Sequence, residues 1–222
     1  RERQLLEELT RFRNNQEIAE ALSVRASTLQ KHFQNMFRKF GVTSRWELMR
    51  LLLEEGHRNI AVLLDSIQDR SISQLRYMGY CRALRERGIQ PDAALVGETG
   101  SFEMSAAYQC MTRMLRSGRD FTAVFAIADS MAVAAMKAIY DQGKRVPEDY
   151  SVVAIDGIDM SAYAVPTLTT LAQPQEEMGQ RSVQILLDMI EGRGGNRHVQ
   201  LRTALRTGGS VCPLSVFASA TM

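Results

Sequence analysis

The sequence holds three cysteines, Cys81, Cys110 and Cys212, odd in number and far apart. That pattern excludes a disulfide framework, and without metal-ligand spacing it points to no zinc site. The thiols are therefore expected to be reduced and mostly buried. No apolar run approaches the roughly 20 residues of a membrane-spanning helix, and no basic-then-apolar leader precedes the first helical pattern. A cytoplasmic protein without a membrane partner is the expectation. The chain begins at Arg1 rather than at methionine, which leads one to expect processing or truncation upstream. Catalytic signatures are also missing: there is no glycine-rich phosphate loop of the Walker type, no G-x-S-x-G elbow, no H-E-x-x-H and no second histidine near a cysteine. His57 and His198 are isolated, and Asp141 and Glu148 have no partner placed for acid–base work. The expectation is a protein that is not an enzyme and needs no cofactor.

What is present is ordinary for a globular chain: 222 residues, 45% hydrophobic and 23% charged. That is enough for one large or two small domains with a real core. The net charge of +2 hides an asymmetry. Between Arg25 and Arg50 six basic residues (Arg25, Lys31, Arg38, Lys39, Arg45, Arg50) face Glu47 alone, whereas from Gly56 onward 17 basic residues balance 17 acidic ones. The basic excess marks a surface near the N-terminus as a candidate for a polyanion.

The first fifty-five residues read as short amphipathic helices. RERQLLEELTRF repeats Leu5, Leu6, Leu9 and Phe12 at helical spacing; Asn14 and Asn15 offer an N-cap to NQEIAEALSV; and RASTLQKHFQNMFRKF carries a stripe of Leu29, Phe33, Met36, Phe37 and Phe40 that Gly41 ends. Opposite that stripe lie Ser27, Lys31, Gln34 and Arg38, with Gln30 at the edge. Two short helices joined by a tight turn, the second with such a face, can enter a major groove: the cations neutralise phosphates while glutamine and serine read base edges. A small helical bundle with a solvated face has the same pattern.

From Gly56 onward strand-like and helix-like segments alternate, which predicts an α/β unit with a parallel sheet. Candidate strands are Asn59–Leu64, Ala93–Val96, Ala123–Ile127, Val152–Ile155, Leu168–Ala172 and His198–Thr203; candidate helices are Ser71–Arg87, Glu103–Ser117, Ser130–Gln142 and Gln175–Glu191. Met104, Met111, Met114, Met131 and Met136 fall at helical spacing and are assigned to packing. Ligands bind such sheets outside the carboxyl ends of the strands. Asp65, Asp129 and Asp156 sit there, and carboxylates in that position suit hydroxyl-rich or amine-bearing ligands. An aspartate just before a helix can equally cap it, and Asp129, ahead of SMAVAAMKAI, fits both roles.

Two resemblances refine these readings. NQEIAEALSVRASTLQKHFQNMFRKFGVTSRWEL resembles the LuxR-type helix-turn-helix, with its N-K-E-I-A, T-V-K-x-H and K-L-G-V-x-S-R pattern. The resemblance implies that the third helix reads double-stranded DNA and that the fourth, Ser44 to Glu55, pairs subunits of a homodimer. It places Thr28, Lys31 and His32 in the recognition helix, with Gln30 where the family has lysine. The DNA-facing candidates are then Ser27, Thr28, Gln30, Lys31, His32, Gln34 and Arg38, although a lone histidine is as readily a half-buried structural group. The segments GHRNIAVLL, SISQLRYMGY, FTAVFAIADSMAVAAMKAIYDQGKRVPEDYSVVAIDGID and PTLTTLAQPQEEMGQRSVQILLDMIEG resemble the sensor region of LacI/GalR-type repressors. That resemblance implies a periplasmic-binding-protein-like fold closing on a sugar or nucleobase effector. Arg76 would grip the effector, Phe102 stack on it, Asp156 accept its hydrogen bonds and Arg70 add a basic contact, with Asp129 beside them; Ala128 stands where the family usually has asparagine.

Together they predict a helix-turn-helix four-helix domain over residues 1–55, a single Rossmann-like, mainly parallel α/β lobe over 56–215 with the family's first lobe missing, and a tail over 216–222. The function they imply is a DNA-binding transcriptional regulator, of repressor type, with a small-molecule sensor. A ligand-binding or dimerisation module without DNA function is the alternative. RWELMRLLLEEGHRNIAVLLD is the seam between the two resemblances, with no room for a flexible linker. The helix Gln175–Glu191 would lack the surface that the first lobe offers in complete sensors.

Overall fold

A computed structural model describes residues 45–67, 72–193 and 199–214. The three helices expected before residue 44, their DNA-facing residues Ser27, Thr28, Gln30, Lys31, His32, Gln34 and Arg38, the effector candidate Arg70, His198 and the tail lie outside the described residues. The described chain runs α1 (Arg45–Glu54), β1 (Ile60–Leu64), α2 (Ile72–Glu86), β2 (Val96–Glu98), α3 (Met104–Arg116), β3 (Ala123–Ala126), α4 (Asp129–Asp141), β4 (Ser151–Asp156), α5 (Asp159–Tyr163), β5 (Thr169–Ala172), α6 (Gln175–Ile190) and β6 (Ala204–Arg206).

The strands form one sheet in the order β2-β1-β3-β4-β5-β6, parallel throughout except for β6, which runs antiparallel to β5. β1 (IAVLL), β3 (AVFA) and β5 (TTLA) are buried at every position, as expected of parallel strands covered on both faces. The chain leaves β1 toward β2 on one side and returns to β3 on the other. The β1/β3 boundary is therefore the switch point at whose carboxyl end a crevice opens.

The expected strand over Ala93–Val96 is divided. Ala93–Leu95 is a single 3-10 turn, because the Asp92 carboxylate accepts the Ala94 amide at 2.8 Å, and pairing starts only at Val96. The last strand forms at Ala204–Arg206, downstream of the expected His198–Thr203, and α5 carries too short a pattern to be expected from periodicity.

At the seam, Leu48, Met49 and Leu52 of α1 are 0–1% exposed and belong to the same core as the strands, with α1 lying against α2, β4 and β5. Packing is thus continuous across the expected boundary between residues 55 and 56. α1 ends in a Schellman motif: the His57 amide donates to Leu52 O (3.0 Å), the Gly56 amide to Leu53 O (3.3 Å), and Gly56 takes φ +92°. A Cβ at Gly56 would be strained by that φ and would meet Leu214 Cβ at 3.3 Å. The chain's return at Leu214 closes the joint, its amide donating to Glu55 O at 2.8 Å. His57 is fully buried beneath it. Its Nε2 lies 3.0 Å from Cys212 O and its Nδ1 2.9 Å from Thr122 Oγ1. A carbonyl can only accept, so Nε2 carries the proton and Nδ1 accepts from the threonine hydroxyl. Burial lowers the pKa of the ring, which keeps it neutral.

α6 is the opposite case. Val183 (58%), Leu186 (56%) and Ile190 (72%) are exposed, and Met178 and Leu187 are exposed with them.

Candidate functional site

The carboxyl edge of the sheet gathers the residues that the sequence singles out. Asp65 follows β1, Phe102 lies in the loop after β2, Ile127 follows β3, Asp129 opens α4 and Asp156 ends β4. Arg76 reaches this edge from the second turn of α2, because a helix that starts at a strand's carboxyl end keeps its first turns there.

Arg76 is 7% exposed, and its guanidinium is held in place. Nη1 donates to Ile127 O, and Nη2 donates to Asp156 Oδ1 at 3.0 Å in an ion pair. Nε has no partner among the described residues. A guanidinium so deeply buried requires a counter-charge, which Asp156 supplies. Removing either partner would leave a buried uncompensated charge, a loss of roughly 3–5 kcal/mol for fully buried pairs and less here because the Asp156 side chain is 24% exposed.

Asp156 also accepts from Gln173 Nε2 at 2.7 Å, again on Oδ1, so Oδ2 has no hydrogen-bond partner among the described residues. It is the one non-glycine residue with positive φ among those described, at +138°. Such a conformation persists only where the surroundings over-determine it, and it recurs at ligand clamps. Gln173 falls within the sensor-like stretch that begins PTLTTLAQPQ. Its place in the motif was readable, but its contact with Asp156 depends on the β4–β5 register, in which Asp156 faces Ala172.

Phe102 is 41% exposed. Asp65 is turned inward on its own loop, with Oδ1 accepting the Ser66 amide at 2.7 Å.

Asp129 departs from the cap reading. It is the first residue of α4 and not its cap, Ala128 being the cap residue. It is also fully buried. Oδ2 accepts the Ile158 amide at 3.0 Å and Oδ1 accepts from Thr170 Oγ1. Burial raises its pKa, opposed by the hydrogen bonds from Thr170 and from the Ile158 and Gly157 amides. The structure thus brings Arg76 and Asp156 into contact, puts Phe102 at the same edge, and sets Asp129 behind Asp156.

Among the described residues no group of His, Cys, Asp and Glu could hold a metal, and no helix is long and apolar enough to cross a membrane.

Comparison with known proteins agrees with this architecture. The family model described as periplasmic binding protein-like domain matches residues 49–211, and that of the bacterial regulatory proteins, luxR family, matches residues 1–52. The two overlap inside α1. The chain is 35% identical over 182 residues to the HTH-type transcriptional regulator MalR of Clostridium butyricum, covering 81% of this chain and 54% of MalR. It is 37% identical over 150 residues to the HTH-type transcriptional repressor PurR of Pectobacterium carotovorum, covering 68% of this chain and 43% of PurR. The chain spans about half the length of these curated relatives. Among solved structures, the transcriptional regulator CelR in complex with cellobiose superposes with TM-score 0.71 at 32% identity, covering 77% of this chain and 52% of CelR. The Escherichia coli transcriptional repressor ascG gives 0.69 at 28%, covering 78% of this chain and 62% of ascG. By the match over residues 49–211, the chain belongs to the periplasmic binding protein-like domain family, and the curated relatives it resembles are transcriptional regulators with helix-turn-helix domains.

Proposed function

We propose that this chain acts as a DNA-binding transcriptional regulator of the repressor type, whose α/β lobe binds a small effector of the sugar or nucleobase class at the carboxyl edge of its sheet. The observation that carries the reading is the sunken Arg76–Asp156 pair, in which Asp156 Oδ2 has no hydrogen-bond partner among the described residues. Such a pair presents a fixed acceptor to a hydroxyl or ring N–H, and the exposed Phe102 offers an aromatic ring for stacking. Arg70 is proposed as a further basic contact. A relative with cellobiose and another with bound ribose support the ligand class.

DNA binding is assigned to the basic stretch before residue 50, through Ser27, Thr28, Gln30, Lys31, His32, Gln34 and Arg38. The proposed partners are double-stranded DNA, the effector and a second copy of the chain. Cytoplasmic location and the absence of catalysis complete the proposal. We place the start of the sensor unit at Arg45, since α1 lies in its core.

Calorimetric titration with D-ribose, cellobiose and adenine tests the effector site. Weak binding is expected, because one lobe buries little of a small molecule, and it should be lost in Asp156→Ala. Tight binding to a monomer, or binding unchanged in that variant, contradicts the assignment. Selection from random duplex DNA tests the other half: Lys31→Ala with Arg38→Ala should weaken binding and flatten its salt dependence.

A second reading, a ligand-binding or dimerisation module without DNA function, is favoured by one observation. The last helix of the luxR-type match, expected to pair subunits, has its apolar face committed to the α/β core instead, which favours the ligand-binding form of this reading over the dimerisation form. Failure of the duplex selection would favour it.

A further inference from the structure

The turn that follows β4 is built around a buried carboxylate. Asp129 is fully buried at the start of α4, yet its hydrogen bonds reach two other elements. Oδ2 accepts the Ile158 amide at 3.0 Å, beyond β4, and Oδ1 accepts the Thr170 hydroxyl in the middle of β5. Between Asp156 and Ile158 stands Gly157, with φ +71°, where a Cβ would lie 2.3 Å from Ala172 Cβ. The turn is pressed against β5 on one side and hydrogen-bonded to Asp129 on the other. Asp156, at φ +138°, is the residue bent by this arrangement. Its Oδ1 thereby meets Arg76 Nη2 at 3.0 Å and Gln173 Nε2 at 2.7 Å.

We propose that Asp129 is a positioning residue. By pinning the Gly157–Ile158 turn to β5 through Thr170, it holds Asp156 in the left-handed conformation that aims one carboxylate oxygen at Arg76 and leaves the other for a ligand. This rests on the reading of Asp156 as the effector's acceptor, but the geometric part stands apart from any ligand. Burying a carboxylate is costly unless it is fully hydrogen-bonded, and groups that meet this cost rigidify what they bind. Asp129 was a candidate contact by sequence; its burial makes it a support instead. Asn at this position would turn an amide toward one of two donors, and Val at 170 would remove the hydroxyl while keeping the branched shape of a strand residue.

The test uses the full chain, isotopically labelled, with Asp129→Asn, Thr170→Val and Thr170→Ser. Hydrogen exchange of the Gly157 and Ile158 amides should accelerate at least tenfold in Asp129→Asn, and less in Thr170→Val. The Asp156 side-chain carboxyl resonance should move in both, while β1 amides keep their protection and Thr170→Ser restores the parent values. A merely structural role would lower protection across the sheet together. Unchanged exchange at Gly157 and Ile158, an unmoved Asp156 resonance, or a uniform loss that includes β1 would overturn the proposal. D-ribose, cellobiose and adenine titrated into the same samples separate the two levels. If none binds the parent protein while the local exchange and the Asp156 resonance still respond, positioning stands and the effector reading falls.

Discussion

α1 and α6 are both amphipathic helices that enter or leave the α/β unit, and they end in opposite environments. Leu48, Met49 and Leu52 of α1 are sealed in the core; Val183, Leu186 and Ile190 of α6, spaced just as regularly, stand in solvent. Spacing announces an apolar face without naming the surface that receives it. α1 is received because the chain on its C-terminal side is pinned: the Schellman turn at Gly56, the buried His57 and the Leu214 amide on Glu55 O fix its angle against α2, β4 and β5. α6 follows Pro174, and among the described residues no such return of the chain packs against it. Exposed apolar stripes of this kind mark surfaces made for a partner, which fits a lobe that spans about half the length of its relatives.

The contrast can be tested most strongly by truncating one leucine in each helix. Leu52→Ala should lose about 2–5 kcal/mol in urea melts, the cost of a core cavity, whereas Leu186→Ala should stay within about 0.5 kcal/mol. Comparable losses would break the comparison.

His57 gives the next effect. Its folded pKa is depressed by burial, so the native state binds fewer protons than the unfolded chain as pH falls below 6.5. The stability this contributes is present above 6.5 and disappears as pH drops through the folded value. Melts at pH 7.5, 6.5 and 5.5 should show that loss in the parent and a flatter profile in His57→Gln, which should itself lose about 1–3 kcal/mol at pH 7.5 by breaking buried hydrogen bonds.

Asp129 carries the opposite sign. Its folded pKa is raised above 3.8, so its contribution is present at low pH and is lost as pH rises through the folded value. Subtracting the Asp129→Asn profile from the parent between pH 4 and pH 7 should expose a falling limb.

The smallest effect on stability belongs to α6. Val183→Lys with Ile190→Lys should leave the melt within about 0.5 kcal/mol while reducing the binding of a hydrophobic dye. A large destabilisation would mean that the stripe is already covered.

These contrasts also mark what the residues disclose on their own. β1, β3, β4 and β5 were legible to within one residue at each end, since fully buried parallel strands read as short apolar runs between glycine, proline and polar punctuation. The 3-10 turn before β2 was not, because a single Asp92 side chain diverted a run that looked like a strand. β6, exposed at all three residues, had no apolar pattern to read. At the site, Asp156 is marked by its place at a strand's carboxyl end and Arg76 by resemblance alone, and the structure adds their contact. Gln173 and Thr170 were missed as partners because both depend on how β5 lies beside β4, which local pattern does not encode. Asp129 was seen as a candidate, but burial decides between contact and support, and burial is a property of the assembled sheet.

Native-state hydrogen exchange across the seam tests whether α1 is part of the sensor core and joins it rigidly at Gly56. Amides of α1 near Leu52 should open with the same free energy as those of β1 near Val62, while α6 amides near Leu186 should exchange through much smaller openings. Opening of α1 independently of β1, at a free energy as low as that of α6, would contradict it.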